Sequence, residues 1–180
     1  MYFIEGESML PNGFLIQLAL EEDLPRILEI ELLAGERFKP YGLKNLVEVL
    51  TPKELLLTGI CNQRCWVVTI KNDCPVGFAL VSTVGKFAHL DELDVLPEYG
   101  CKGLGSALLD VVDNWACING LKTIILTTFR HIPWNAPFYA KQGFKVLNPE
   151  KFSEEVKQIL KEETARGVPT EKRVVMYKNL

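Results

Sequence analysis

Three glycines lie close together between an apolar strand-like segment and an apolar helix-like segment, in the stretch from Gly100 to Ser106. The amide groups in the first turn of a helix have no acceptor within the helix, and the helix dipole favours negative charge there. Glycines let a phosphate group approach the backbone, because they carry no side chain. The segment therefore predicts an anion-binding loop at the start of a helix.

The spacing of the glycines distinguishes between classes of phosphate-binding loop. A dinucleotide-binding loop has the pattern G-x-G-x-x-G, whereas Gly100, Gly103 and Gly105 follow the reverse order. A Walker loop has the pattern G-x-x-x-x-G-K-S/T, in which Lys and then Ser or Thr follow the second glycine. Here Gly105 is followed by Ser106 and Ala107. The residues therefore exclude both of these nucleotide-binding patterns.

These residues resemble the acyl-CoA-binding loop of the GNAT superfamily of N-acetyltransferases, written R/Q-x-x-G-x-G/A after a strand that ends in Val-x-Pro. Here the preceding segment ends in Val95, Leu96 and Pro97. Residues 133–144 are similar to the family's N-x-x-x-x-x-Y-x-x-x-G-F segment in the spacing of the tyrosine and of the Gly-Phe pair. The two motifs lie within residues 87–147, and on them the chain is identified as a member of that superfamily.

One residue of the loop departs from the family pattern. Gly100 stands where the family prefers Arg or Gln, a side chain that helps to organise the loop in relatives. We expect Lys102 to supply positive charge toward the pyrophosphate of the cofactor. We also expect the replacement at position 100 to loosen cofactor binding.

The resemblance implies an N-acetyltransferase that uses acetyl-CoA as its cosubstrate and needs no metal. It implies direct transfer of the acetyl group to a primary amine, on a small molecule or a peptide, without a covalent enzyme intermediate. A backbone N–H near the end of the strand would polarise the acetyl carbonyl. The residues that the resemblance assigns to cofactor binding are Leu93, Asp94, Val95, Gly100, Cys101, Lys102, Gly103, Leu104, Gly105, Ser106, Asn135 and Tyr139.

The resemblance also assigns a proton donor. It implies that the phenol of Tyr139 lies near the sulfur of CoA, where a phenol with an ordinary pKa of about 10 stays protonated at neutral pH and can donate. The alternative is that Tyr139 is a packing residue of an amphipathic helix. Asn135 is a candidate for hydrogen bonding to the pantetheine arm, and its alternative role is to cap the same helix.

The general base is predicted to lie on the segment from Phe87 to Leu96. Alternation along a strand places His89 and Asp91 on one face and Glu92 and Asp94 on the other. His89 ranks first, because histidine titrates near neutral pH and some relatives hold a catalytic residue there. Glu92 and Asp91 follow, since a β-bulge in this strand would change which side chain faces the cleft. Proton removal through a water chain is a further alternative.

A different functional class also fits the loop, namely a non-catalytic acyl-CoA sensor or a protein-interaction domain. The tyrosine and the strand that carries histidine and acidic residues favour the enzyme. Cys101 lies inside the loop, but no His or Asp partner can be assigned to it, so a thiol nucleophile is not expected. The fold does not choose the acceptor, although an acidic central strand suits a small cationic amine.

The composition predicts one domain over residues 1–180, because 48% hydrophobic and 24% charged residues are typical of a globular protein. A formal net charge of −3 gives no basic field for a phosphate backbone, so nucleic acid is not an expected partner. The segment from Met1 to Glu5 has neither a basic region nor a long apolar stretch. We therefore expect a cytoplasmic protein that binds no membrane and whose five cysteines are free thiols. The sequence does not decide the oligomeric state, and a homodimer is one alternative.

The apolar pattern predicts the elements that position these motifs. The expected fold is α/β, with a GNAT-like central mixed, mostly antiparallel sheet of about seven strands and helices on both faces. Strands are predicted at 14–20, 65–70, 76–84, 87–96, 123–127, 144–147 and 173–177. Helices are predicted at 23–38, 43–50, 104–118, 135–142 and 153–165.

Overall fold

A seven-stranded sheet organises the protein, whose computed structural model describes residues 13–70 and 74–180. The strands are β1 (Phe14–Leu18), β2 (Cys65–Ile70), β3 (Cys74–Val84), β4 (Phe87–Val95), β5 (Thr123–Phe129), β6 (Lys145–Val146) and β7 (Arg173–Asn179). Their order across the sheet is β1-β2-β3-β4-β5-β7-β6. Among the paired strands of the described residues, β4 and β5 run parallel and the other neighbours run antiparallel. The predicted mixed, mostly antiparallel sheet is confirmed.

The helices differ from the sequence prediction at one end of the chain. They are α1 (Leu24–Gly35), α2 (Lys53–Cys61), α3 (Leu104–Ile118), α4 (Ala136–Lys141) and α5 (Glu154–Ala165). The helix predicted over 43–50 is a 3-10 segment, Lys44–Glu48, and the prediction missed α2. Only nine residues long, α2 contains a glycine, and its buried Leu56, Gly59 and Ile60 make a short apolar stripe with weak periodicity.

Helices cover both faces of the sheet, as the sequence predicts. The Trp66 ring of β2 packs edge-on against Trp115 of α3, at 6.2 Å between ring centroids. Trp66 pairs with Ala79 of β3, so α3 lies on the face of Ala79. The neighbouring residue Leu80 points to the opposite face, where a Cβ on Gly59 of α2 would lie 2.2 Å from its Cδ1. The buried β3 strand is therefore sandwiched between helices.

The parallel strands β4 and β5 pair over only two positions. Ala88 lies opposite Ile124 and His89 opposite Ile125, and beyond these residues the two strands diverge. On its other edge β4 stays paired with β3, but the register shifts so that Leu90 and Glu92 face consecutive residues of β3. Asp91 is therefore the extra residue of a β-bulge. The divergence and the bulge both occur at the end of β4 that precedes the glycine loop.

A glycine on β3 determines how closely the end of β4 can approach. A Cβ on Gly77 would lie 2.7 Å from the carbonyl oxygen of Asp94. Because that neighbour is backbone, Gly77→Ala forces the strands apart, and we expect the protein to lose about 1–3 kcal/mol of unfolding free energy. Chemical denaturation measures this loss. Gly35→Ala is the control, since its Cβ would lie at an ordinary 3.5 Å from Val47 in a helical segment, and an equal loss in both variants contradicts the prediction.

Candidate active site

A cleft of about 580 Å³ opens where β4 and β5 diverge. One end is formed by the glycine loop with the start of α3 and by α4. The other end is formed by the carboxyl half of α1, by residues 46–51 and by side chains that follow α5. The exposed edge of β4 runs along the floor between the two ends. A long ligand can therefore enter at one end and meet a second ligand in the middle.

The glycine loop has the backbone conformation of an anion site. Gly103 precedes α3 with φ of 81°, and Cys101 also has a positive φ, of 59°. The N–H of Ala107 donates to the carbonyl of Gly103 at 3.0 Å, so the three amides before it have no acceptor in the helix. A Cβ on Gly103 would meet no atom within 4 Å, which leaves open space beside these amides. The three amides without a helical acceptor are those of Leu104, Gly105 and Ser106.

Two neighbours of the loop have defined contacts. The Nζ of Lys102 lies 4.8 Å from the ring centroid of Tyr99, so this ammonium is held over an aromatic ring at the mouth of the loop. Lys102 is not among the residues that line the cleft, in contrast to Gly100 and Cys101. Gln142 donates to the hydroxyl of Ser106 at 2.9 Å. This bond ties α4 to the first turn of α3.

The bulge changes the faces predicted for the candidate bases. Residues opposite one another in an antiparallel pair share a face, and β3 presents Ser82, Leu80 and Phe78 to His89, Glu92 and Asp94. Because Asp91 is an extra residue, the alternation slips by one position, and Glu92 and Asp94 lie on the same face as His89. The prediction from strict alternation, that they lie on the opposite face, is wrong for this reason, and the β-bulge considered as an alternative for this strand is present.

The edge of β4 offers the cleft two amides that are not paired with another strand. The N–H of Leu96 donates to the carbonyl of Val76 in β3 at 2.9 Å. Successive N–H groups of a strand point to alternate edges, so those of Leu93 and Val95 point away from β3. In this region β5 has already diverged, and the N–H of Leu93 has the carboxylate of Glu92 as its acceptor, at 3.3 Å. These amides are the donors that the predicted carbonyl-polarising site requires.

Two carboxyl groups on β4 are held in an environment that disfavours their charge. Burial raises the pKa of Glu92 to about 8, and the charge of Glu31 adds to this effect. Burial also raises the pKa of Asp94 well above its ordinary value, with contributions from Glu92 and Glu31. Both residues line the cleft. A buried carboxyl whose pKa lies near neutrality can accept a proton from a substrate.

His89 has a different environment from the other candidate bases. Its Nδ1 lies 2.9 Å from Oδ1 of Asp91, which also accepts a hydrogen bond of 3.0 Å from the hydroxyl of Ser82. His89 is 8% exposed and is not among the residues that line the cleft, whereas Asp91 lines it. The structure therefore separates His89 from the space in which Glu92 and Asp94 lie.

The two predicted residues around α4 both line the cleft. Tyr139 packs against Phe138 and Phe144, with centroid distances of 5.1 and 5.7 Å. Burial raises the pKa of Tyr139, and the charges of Glu92 and Asp94 raise it further, so its phenol stays protonated. Asn135 precedes α4 but makes no capping bond with its side chain.

The side chain of Asn135 instead contacts β5. Its Oδ1 accepts from the hydroxyl of Thr128 at 2.8 Å and from the N–H of Phe129 at 3.3 Å. The alternative role of Asn135 as a side-chain cap is therefore wrong. The two bonds hold the start of α4 against the end of β5, which fixes the helix that carries Tyr139.

A sequence model of the Acetyltransferase (GNAT) family matches residues 24–144, which include β4, the glycine loop and α4. The chain belongs to the GNAT acetyltransferase family. The predicted resemblance is thereby confirmed.

Solved GNAT structures share the fold of this GNAT chain. The PaiA N-acetyltransferase of Thermoplasma acidophilum, in complex with coenzyme A, aligns with a TM-score of 0.68 at 20% identity, over 93% of this chain and 99% of that one. The ribosomal-protein-S18-alanine N-acetyltransferase of Escherichia coli gives 0.63 at 18% identity, over 92% and 93%. An acetyltransferase of the GNAT family from Staphylococcus aureus gives 0.71 at 16% identity, over 93% and 99%.

Several charged residues that line the cleft of this GNAT protein were not predicted from the sequence, among them Glu31, Glu163 and Arg173. Arg173 donates to the carbonyl of Thr127 at 2.7 Å and lies 3.4 Å from Glu163, which also accepts from the hydroxyl of Thr127. Glu31 lies on α1 and bonds to Thr51. A signal for Glu31 existed, since it lies four residues after Ile27 on the buried stripe of α1. Glu163 and Arg173 had none, because their contacts join distant segments.

Within residues 13–70 and 74–180, no group of three or more His, Cys, Asp or Glu side chains is arranged to hold a metal ion. Over the same residues, no helix is long and apolar enough to span a bilayer. The cysteines at positions 61, 65, 74, 101 and 117 are unbridged.

Proposed function

We propose that the protein is an acetyl-CoA-dependent N-acetyltransferase that transfers the acetyl group to a primary amine by direct attack. The single observation that carries this proposal is the juxtaposition, in one cleft, of the glycine loop, two β4 amides without a partner strand, the half-buried carboxyl of Glu92 and the half-buried phenol of Tyr139. Each supplies one requirement of the reaction. Family membership supports the same conclusion.

The loop residues fit the diphosphate of a CoA thioester. The open space beside Gly103 adjoins three amides without helical acceptors, and the dipole of the fifteen-residue α3 favours an anion at that point. Leu93 and Val95 are the neighbouring donors on β4, at the middle of the cleft. Acetyl-CoA would supply the activated acyl group, and the N–H of Leu93 or Val95 would donate to its carbonyl oxygen.

Glu92 is the residue that we assign as general base. An alkyl amine is protonated at neutral pH and becomes a nucleophile only after it loses a proton. The carboxyl of Glu92 lines the cleft and lies within 3.3 Å of the N–H of Leu93, one of the two candidate carbonyl-polarising donors. His89 lacks such a position because it does not line the cleft and its Nδ1 is bonded to Asp91. We therefore place Glu92 ahead of His89 and Asp91.

Tyr139 is assigned as general acid for the leaving thiolate. Its ring is fixed between Phe138 and Phe144, and its phenol lines the cleft beside the start of α3. The raised pKa of Tyr139 keeps the proton on the phenol until the thiolate needs it. Asn135 is a positioning residue in this scheme, because it fixes α4 against β5.

Gly103→Val should reduce acetyl-CoA affinity by about 100-fold, because its side chain fills the space beside the helix amides and removes charge-assisted hydrogen bonds. Isothermal titration calorimetry measures the affinity. Gly120→Val is the matched control, since Gly120 also has a positive φ, of 71°, and open space around it, but lies beyond the other end of α3. Both variants carry the same backbone strain, so unchanged affinity in Gly103→Val contradicts the proposed loop function.

Glu92→Gln should lower kcat/KM by about 10²- to 10⁴-fold. A base acts when it is deprotonated, and the pKa of Glu92 is raised to about 8, so wild-type activity should decline as the pH falls through that value. This decline should disappear in Glu92→Gln and persist in His89→Gln. A pH profile of kcat/KM for the three proteins decides between the two bases. Loss of the decline in His89→Gln instead would assign the base to His89.

Tyr139→Phe should lower kcat by about 10²- to 10⁴-fold while acetyl-CoA affinity changes little, because the ring and its packing are kept. If Tyr139 is only structural, the lost hydroxyl costs about 1 kcal/mol of stability and turnover stays near that of the wild type. Tyr177→Phe, in β7, is the control for loss of a phenol elsewhere. Wild-type protein that binds acetyl-CoA but acetylates no amine in a broad panel would support the alternative, a non-catalytic sensor.

A further inference from the structure

Glu31 has one carboxylate oxygen that is satisfied and one that is not. Its Oε1 accepts from the N–H and from the hydroxyl of Thr51, each at 2.7 Å. Its Oε2 is buried and has no hydrogen-bond partner among the described residues. The residue is only 7% exposed and it lines the cleft at the end opposite the glycine loop. A buried carboxylate oxygen without a donor is costly, unless a ligand supplies that donor.

The surroundings of Glu31 hold an excess of negative charge. Its charge acts on the carboxyls of Glu92 and Asp94, which lie in the same cleft. The guanidinium of Arg173 is engaged with Glu163, and that of Arg37 lies over the Trp134 ring at 4.1 Å. Within the described chain no hydrogen bond or ion pair joins a basic residue to Glu31, although the charge of Arg166 acts on Glu31 and opposes the rise of its pKa. The basic residues that line the cleft are Arg37, Lys141, Arg166 and Arg173.

The wall beside Glu31 is apolar. Ala34 and Val47 are each 5% exposed and line the same end of the cleft, together with Leu50. Such a wall accepts methylene groups but offers no hydrogen bonds to a hydroxylated chain. The cleft therefore has an acidic floor at Glu92, an apolar wall and a second acidic point at Glu31.

We propose that the acceptor amine carries a second cationic group, joined to the reacting amine by an aliphatic spacer, and that Oε2 of Glu31 binds this second cation. The proposal rests on the proposed acetyltransferase function and names its substrate class. One amine loses its proton to Glu92 and attacks, while the other stays charged and donates a hydrogen bond to Oε2 of Glu31. Burial raises the pKa of Glu31, and a bound cation would reverse that effect.

The test compares diamines of increasing length with monoamines of the same length that end in a methyl or hydroxyl group. The measured quantity is the ratio of kcat/KM for a diamine to kcat/KM for its matched monoamine. Wild-type protein should favour the best diamine, and Glu31→Gln should lower the ratio by about 10- to 100-fold, the effect of one charge-assisted hydrogen bond. The charge of Glu31 also raises the pKa of Glu92. Loss of that charge therefore affects the turnover of the diamine and of the monoamine equally, and the effect cancels in the ratio.

Glu31→Gln keeps an oxygen that can accept from Thr51, so the contact between α1 and residue 51 survives. Glu29→Gln is the control for loss of a carboxylate on the same helix, since Glu29 is exposed and pairs with Arg26. It should keep the wild-type ratio. Thermal unfolding and acetyl-CoA affinity show whether each variant is folded. A short peptide with a lysine after its free amino terminus tests whether the second cation comes from a peptide instead of a free diamine.

Direct binding gives a readout that does not depend on turnover. Calorimetric titration of the best diamine into CoA-saturated wild type should show tighter binding than its monoamine, even if Glu31→Gln cannot be purified in folded form. Equal kcat/KM and equal affinity for diamines and monoamines, or an unchanged ratio in Glu31→Gln, would overturn the second-cation site while leaving the acetyltransferase intact. Absence of turnover with every amine, despite acetyl-CoA binding, would instead overturn the proposed function.

Discussion

The loss of pairing between β4 and β5 is the constraint on which the rest of the site depends. The strands are joined at His89 and Ile125 and diverge beyond them, so one edge of β4 has no partner strand past that point. A free strand edge in the interior is normally a defect, because each unpaired amide needs an acceptor. Here the gap forms the floor of the cleft, and a ligand carbonyl can satisfy those amides.

The bulge at Asp91 determines which side chains share that floor. Without the extra residue, Glu92 and Asp94 would lie on the face of α3, and the cleft would lack its carboxyls. With it, they line the same cleft as Glu31, and burial raises the pKa of each of the three carboxyls. Such groups disfavour the folded state when they are charged. Their retention in one place is more easily explained by proton transfer and cation binding than by stability.

Short sequence motifs predicted those parts of the site that are formed by residues close together in the chain. The glycine spacing, the Val-x-Pro strand end and the α4 segment each lie within a few residues, and the sequence placed the loop, β4 and Tyr139 on the correct elements. The face of Glu92 was wrong because an inserted residue in a strand has no local signature and is fixed by the partner strand. Glu163 and Arg173 were missed because their contact joins the end of α5 to β7. The short helix α2 was missed because packing against Leu80, not periodicity, stabilises it.

In the proposed mechanism the two proton transfers are linked through the charge of Glu92. After burial, the Glu92 carboxylate is the largest cause of the raised pKa of Tyr139. A phenol with so high a pKa is a weak acid toward a thiolate, since an ordinary thiol has a pKa of only about 8.5. When Glu92 takes the proton of the amine it becomes neutral, and the phenol then loses the charge that opposed its ionisation. Tyr139 is thereby a poor donor before the amine is activated and a better one afterwards. Burial, the largest cause of the raised pKa of Tyr139, is unchanged by this transfer, so neutralisation of Glu92 removes only part of the opposition to proton donation.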